Sequence, residues 1–269
     1  MDIDLNSWLN LLLRWFHVIL GITWIGQTYL FNWLERRMEA PPGDGQDNIS
    51  GQVWMVHSGG FFKVEKQARP AIMPQKLHWF KWEAALTWIS GMLLLALVYY
   101  AGGLMLDYDS ELSNAAAIGL SLGILVGGWI LYDLALRLAP MDNDLLVAAV
   151  SWLAVLALAW GLQGQFSSRA VYMQVGALFG TVMAANVWLR ILPAQSQMLA
   201  ATRAGEIPDM TLGARAKRAS KHNTYMSVPL IFIMIGSHYP TIAYGSDASL
   251  AVLGGLILVG WAGAKIMRG

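Results

Sequence analysis

None of the 269 residues is cysteine. That absence excludes disulfides, iron–sulfur clusters, thiolate metal sites and haem attached through Cys, so any metal centre has to be built from His, Met or carboxylates. Charge is scarce as well. Asp, Glu, Lys and Arg make up 13% of the chain against 56% hydrophobic residues, and a soluble domain of that composition would expose too much apolar surface. The formal net charge of +1 is sorted along the chain rather than gathered into a basic patch, which argues against nucleic-acid binding. The first residues, Met1-Asp2-Ile3-Asp4, lack the basic n-region and small-residue cleavage site of a signal peptide, so the first apolar segment is expected to remain as a membrane span.

Long apolar runs fill most of what remains. Seven have the roughly 20 residues that a hydrocarbon core requires: Trp8 to Leu34, Glu83 to Leu106, Ala115 to Ala139, Leu145 to Gln163, Ala170 to Leu192, Tyr225 to Ala243 and Leu250 to Met267. The fold class is therefore all-α, a polytopic membrane helix bundle of about seven transmembrane helices, with residues 1–269 forming one integral membrane domain. Lys and Arg alternate between the gaps. Asp107 to Asn114 and Tyr244 to Ser249 contain none, whereas Arg36 to Lys81 carries seven and Arg203 to Lys221 carries five. The positive-inside rule then places segments 35–82 and 193–223 in the cytoplasm, the N-terminus outside and the C-terminus inside.

The first of these segments is too long for a simple connector. After the breaker-rich Ala40-Pro41-Pro42-Gly43-Asp44-Gly45 it offers two compact pieces, Val53 to Arg69 with a Gly59-Gly60 turn, and Pro74 to Trp82. Alternating aromatic and charged residues suit a folded lid better than a linker. The second segment reads largely as amphipathic helix at the interface.

Ionisable groups in lipid are costly unless paired or liganded, so they mark candidate functional sites. His17 falls near mid-membrane in the first span, His238 near the outer end of the sixth, and His222 and His78 at cytoplasmic span ends. A b-type haem held between two imidazoles is the non-covalent redox centre open to a chain without cysteine. His17 and His238 form the first pair to consider, with His222 or His78 as competitors. An interhelical hydrogen bond or an interfacial position is the alternative for each.

Two cytoplasmic strings concentrate further chemistry. His57-Ser58-Gly59-Gly60-Phe61-Phe62-Lys63-Val64-Glu65-Lys66 combines an imidazole, two glycines and a Lys/Glu/Lys cluster, and His78-Trp79-Phe80-Lys81-Trp82-Glu83 opens the second span. Lys and backbone amides suit a flat anion, aromatic rings stack on it, and His or Glu removes a proton. The candidate catalytic set is His57, Lys63, Glu65, Lys66 and Glu83. Gly59, Gly60, Phe61, His78, Trp82 and Asn223 are candidates for substrate binding. The competing reading is that the lysines set topology and the tryptophans form an interfacial belt.

These strings, together with Arg14 to Gly26, Gly180 to Val187, Lys221-His222-Asn223-Thr224-Tyr225-Met226-Ser227-Val228-Pro229 and Ser237-His238-Tyr239-Pro240, resemble the membrane domain of the bacterial membrane-bound urate oxidases, or urate hydroxylases. The resemblance implies a multi-pass protein of the bacterial inner membrane that oxidises urate to 5-hydroxyisourate and passes electrons, through a b-type haem, to a cytochrome c. Familiar members carry a cytochrome c domain after an eighth span. This sequence stops at Gly269 without Cys-x-x-Cys-His, so the acceptor is expected to be a separate protein. Gln174 stands where the family pattern places a His, which puts any ligand role of that position in question. The first span is also distantly similar to four-span haem proteins that oxidise protoporphyrinogen. Two other readings stay open: a haem b electron-transfer subunit without its own substrate site, and a transporter whose buried histidines relay protons. A homo-oligomer is compatible with all three.

Overall fold

The computed structural model describes residues 4–41, 49–67, 73–138 and 143–268. Most of the breaker-rich stretch after Pro41, and Arg69, lie outside the described residues.

Helix α1 (Leu5–Arg37) starts where the Asp4 carboxylate accepts from the Ser7 amide at 3.1 Å, and it ends with Arg36 and Arg37 at its negative C-terminal pole. Its only uncharged run of membrane length lies between Arg14 and Glu35, about 20 residues or ~30 Å of helix. The first turns of α1 therefore extend past the hydrocarbon zone, and Arg14 marks its boundary.

The segment that follows folds as an antiparallel hairpin, β1 (Ile49–His57) and β2 (Gly60–Gln67). Its two-residue turn is Ser58-Gly59, with φ of 48° and 77°. Both central residues at positive φ match the twist of the flanking strands, which is why Gly is required at the second position. The turn sits one residue earlier than Gly59-Gly60, because Gly60 already pairs with His57.

Four further spans close the core. α2 (Trp82–Leu94) continues as a π-helical stretch, Leu95–Ala101, and stops at Gly102-Gly103 rather than at Leu106. α3 (Asn114–Leu138) and α4 (Asp144–Leu162) follow. α5 (Ser168–Ala185) is the central helix, packed against α2, α3, α4 and α7, with Tyr172, Val175, Phe179 and Val182 buried in the main apolar cluster. It runs through a π-helical turn, Asn186–Ile191, into α6 (Leu192–Arg203). The widened turn lets the rod continue past Pro193, whose missing amide and bulky ring would break a regular helix interior.

The second predicted loop is thus mostly helix: α6, a short connection, and the first half of α7 (Met210–Gly236), which Asp209 caps through the Thr211 amide. Among the described residues six helices are long and apolar enough to cross a membrane, and α7, with its polar first half, is not among them. The predicted sixth span corresponds to its second half and ends at Gly236, seven residues before Ala243. α8 (Ser249–Arg268) packs on α7 where a Cβ on Gly260 would stand 2.9 Å from Pro229 Cδ, so only glycine admits that approach. At the end away from the hairpin the loops interlock, with Asp107 N donating to Gln165 O (3.1 Å) and Ser167 N to Met105 O (2.9 Å).

Candidate functional site at the hairpin end of the bundle

The π-helical turn Asn186–Ile191 brings three helices together through a polar chain whose direction is fixed by one backbone carbonyl. Met183 O can only accept, so Asn223 Nδ2 donates to it at 3.0 Å and presents its own Oδ1 to Asn186. Asn186 Nδ2 then donates both of its hydrogens, to Asn223 Oδ1 at 2.9 Å and to the Tyr132 hydroxyl at 3.1 Å. Tyr132 is left to donate to His222 Nδ1 at 3.0 Å, and His222 Nε2–H points to Asp144 Oδ1 at 3.2 Å. His222 is therefore held as the Nε2–H tautomer. Asp144 also takes Arg218 Nε at 2.8 Å and Lys221 Nζ at 2.6 Å. Nearby, Asp133 of α3 pairs with Arg190 of the turn and with Arg137.

The other flank of the same turn faces α2 and has a different character. Trp188 meets Trp82 edge to face with ring centroids 5.8 Å apart, and Lys81 Nζ lies over both rings at 5.6 and 5.9 Å. Glu83 Oε2 and Trp188 Nε1 are buried and have no hydrogen-bond partner, one an acceptor and the other a donor. Buried polar atoms are nearly always satisfied, so each of these two has hydrogen-bonding capacity to spare. His78 stacks on Phe80 at 4.5 Å and Phe80 on Phe31 at 5.2 Å, extending the aromatic wall toward α1.

Of the residues singled out in the sequence, the structure brings Trp82, His222 and Asn223 to this turn, and Glu83 follows Trp82 in the first turn of α2. The hairpin set is elsewhere. Lys63 pairs with Glu65 on the same strand face at 2.6 Å, and its ammonium holds the Glu65 carboxyl below the usual carboxylate range. Lys66 anchors the base of the hairpin by bonding Glu35 of α1 at 2.6 and 2.7 Å. His57, Gly59, Gly60 and Phe61 form the exposed tip, five to seven residues up the strand from Lys66 and hence roughly 20 Å away. Among the described residues no hydrogen bond or ring contact joins that tip to the helix-end cluster.

Of the histidines considered as haem ligands, His222 and His238 are not placed to form a buried axial pair. Both ring nitrogens of His222 are engaged. His238 lies exposed in the turn after α7. His17 faces α2, with Nδ1 held by Ser90 Oγ at 2.9 Å and Thr87 O at 3.0 Å, and its ring fills the space that a Cβ on Gly91 would take. The two cavities at the opposite end of the bundle, about 250 and 290 Å³, are lined by no histidine. No group of three or more His, Asp or Glu side chains able to hold a metal occurs among the described residues. Gln174 is fully buried and satisfied, taking Ser121 Oγ at 2.6 Å and donating to Ser121 O at 3.0 Å, so that position ties α5 to α3.

Tyr132, Asp133, Asp144, Asn186, Arg190 and Arg218 escaped the sequence reading as site residues. The available signal was charge at span ends: Asp133, Asp144 and Arg190 each sit in or beside an apolar run, where ionisable residues are rare and usually paired. Trp188 carried no signal distinct from an interfacial tryptophan.

Compared with known protein families, the chain matches the one described as urate oxidase N-terminal over residues 4–267. No curated protein and no solved structure matches it.

Proposed function

Because this chain belongs to the urate oxidase N-terminal family, we propose that it oxidises urate to 5-hydroxyisourate on the α2 flank of the Asn186–Ile191 turn. The observation that carries the assignment of the site is the Trp82–Trp188 edge-to-face pair with Lys81 Nζ over both rings, where Trp188 Nε1 is buried without a partner.

Urate near neutral pH is a flat monoanion with N–H and C=O groups around its edge. Lys81 supplies the opposite charge, the indole faces supply stacking, Trp188 Nε1 donates to a carbonyl and Glu83 Oε2 accepts an N–H. The reaction removes two electrons and adds water: urate plus H₂O gives 5-hydroxyisourate, two protons and two electrons. Glu83 is assigned as the general base for the proton lost from the ring, since one oxygen of its carboxylate is buried without a hydrogen-bond partner next in sequence to Trp82. The two electrons leave one at a time to two equivalents of a one-electron acceptor, for which a cytochrome c is our proposal. No step is routed through a haem.

Membranes containing the protein should reduce ferricytochrome c when urate is added. Glu83→Gln should lower that rate by about a hundredfold, the usual contribution of a positioned base, and Trp82→Ala should raise KM more than it lowers kcat. Wild-type rates in Glu83→Gln, or no urate-dependent reduction by the wild type, would overturn the proposal.

A further inference from the structure

The hairpin carries an apolar face that no described part of the chain covers. Opposite residues of an antiparallel pair lie on one side of the sheet, so the register puts Gln52 with Glu65, Trp54 with Lys63 and Val56 with Phe61 on the same face. Trp54, Val56 and Phe61 are 62%, 70% and 80% exposed. On the opposite face Val53, Met55 and Val64 are partly buried and Phe62 is half exposed. Only the base of the hairpin is tied down. Lys66 bonds Glu35, Glu39 exchanges two backbone hydrogen bonds of 2.9 Å with Gln52, and a Cβ on Gly51 would stand 2.8 Å from Met38 Cβ. An isolated two-stranded hairpin is marginally stable in water, and a contiguous exposed apolar patch marks a surface that meets a membrane or another protein.

Position and charge select the membrane. Glu35 closes the uncharged run that begins after Arg14, so it stands where hydrocarbon gives way to headgroups, and the hairpin is anchored at that level. From there its face is graded. Gln52 and Glu65 are nearest the base, Trp54 lies in the middle with Lys63 Nζ 5.9 Å from its ring centroid, and Val56 and Phe61 are at the tip. Tryptophan and lysine belong to the headgroup zone, and the more apolar tip suits the deeper position.

The base is also rich in uncompensated positive charge. Arg36 and Arg37 end α1, and Lys265 and Arg268 end α8 beside them. Arg36 donates to Ile266 O at 3.4 Å, and Arg268 donates to Asn32 Oδ1 at 3.2 Å and Thr224 Oγ1 at 3.4 Å. All of these acceptors are neutral, and none of the four cations forms an ion pair among the described residues. They outnumber Glu39, the exposed acid two residues beyond Arg37. A second copy docked on this end would bring the same cations together, whereas the phosphates of an anionic leaflet neutralise them.

We propose that the face formed by Trp54, Val56 and Phe61 lies on the bilayer at this end of the bundle, its tip at the boundary of headgroups and acyl chains and the cations of α1 and α8 on anionic headgroups. The face shares no residue with the proposed urate site and acts independently of it.

Because the chain has no cysteine, single nitroxide labels test this directly. Phe61→Cys and Val56→Cys place a label on the membrane face, and Phe62→Cys, next to Phe61 in the strand, places one on the other side. Each full chain is reconstituted in nanodiscs of phosphatidylcholine and phosphatidylglycerol. Power-saturation EPR then compares access by oxygen, which concentrates in lipid, with access by a water-soluble nickel chelate. The oxygen-to-nickel ratio should be several times higher at positions 56 and 61 than at 62. Nanodiscs of phosphatidylcholine alone should narrow that gap, and an unchanged gap would overturn the role of the cations. Equal, water-like ratios at all three positions overturn the proposal. So does a label at position 61 that is hidden from both reagents and broadened by spin–spin coupling that dilution with unlabelled chain removes, since that result assigns the face to a second copy.

Discussion

Replacing Asn186 tests the polar chain at its most connected point. Its side chain is fully buried and donates two hydrogen bonds, to Tyr132 at 3.1 Å and to Asn223 at 2.9 Å. Interhelical hydrogen bonds in membranes average about 0.6 kcal/mol and reach about 1.7. Losing two therefore costs about 1–3 kcal/mol in Asn186→Ala. Part of that is recovered, because the partnerless Oδ1 of Asn186 leaves with the side chain and a buried unsatisfied acceptor itself costs about 1 kcal/mol or more. The net loss should lie near 1 kcal/mol. Asn186→Asp keeps the shape but replaces the donor with a second acceptor facing Tyr132 and Asn223, so it should be worse than alanine. Asn223→Ala loses the shared bond and the one to Met183 O, and the double variant Asn186→Ala/Asn223→Ala should be less destabilised than the sum of the singles by about 1 kcal/mol, the shared bond being lost once. Reversible SDS unfolding in mixed micelles, followed by circular dichroism, measures all four corners of the cycle. Strict additivity, or an aspartate variant as stable as alanine, would show that the chain is not connected through Asn186.

Two further outcomes follow from the hairpin and the loops. Glu65 is lowered below the usual carboxylate pKa by its bond to Lys63, so the pair contributes to the hairpin above the unfolded pKa and that contribution is lost as pH falls through the folded value; NMR titration should show Glu65 returning to the ordinary range in Lys63→Ala, and an unmoved midpoint would refute the pairing. Cysteines introduced at Ser58, in the hairpin turn, and at Tyr108, fully exposed at the opposite end, should differ in labelling by an impermeant thiol reagent in intact cells, with Tyr108→Cys reactive and Ser58→Cys protected. Equal labelling would mean that the two ends do not lie on opposite sides of the membrane.

The spans were legible because lipid imposes a length and a composition on each helix separately, so a window of about 20 apolar residues finds Asn114–Leu138 or Asp144–Leu162 within a residue. Where the limits slipped, a local backbone feature had overridden hydropathy. Met105 and Leu106 are apolar but belong to the interlocked loop, since Gly102 and Gly103 end the helix first, and the second half of α7 is cut short at Gly236 although the apolar run goes on to Ala243. Asn223 and Trp82, which the structure brings to the Asn186–Ile191 turn, were legible as candidates because they stand at span ends in unusual strings. The hairpin residues looked equally rich, yet Lys63 and Lys66 are taken up by Glu65 and Glu35. Sequence proximity does not reveal that a charge is already spent on its neighbour.

The partners of Asn186 were beyond reach of the sequence for a related reason. Tyr132, His222 and Asp144 come from three helices, and each alone reads as an interfacial tyrosine, an interfacial histidine or a helix-opening carboxylate. What makes them one unit is the wider backbone at Asn186–Ile191, a π-helical turn that periodicity cannot signal. That turn aims Asn186 and Arg190 toward α3 and Trp188 toward α2, so the same six residues fix the polar chain on one flank and the Trp82–Trp188 contact on the other. The division has a mechanical consequence. The turn that carries Trp188 is pinned from behind by Asn223 and Tyr132, so its indole keeps its edge-to-face contact with Trp82 without relying on the lipid side of α2. Rigid placement of the stacking faces is what a site for a planar anion requires, because a ring displaced by about 1 Å loses the approach of the base to its N–H.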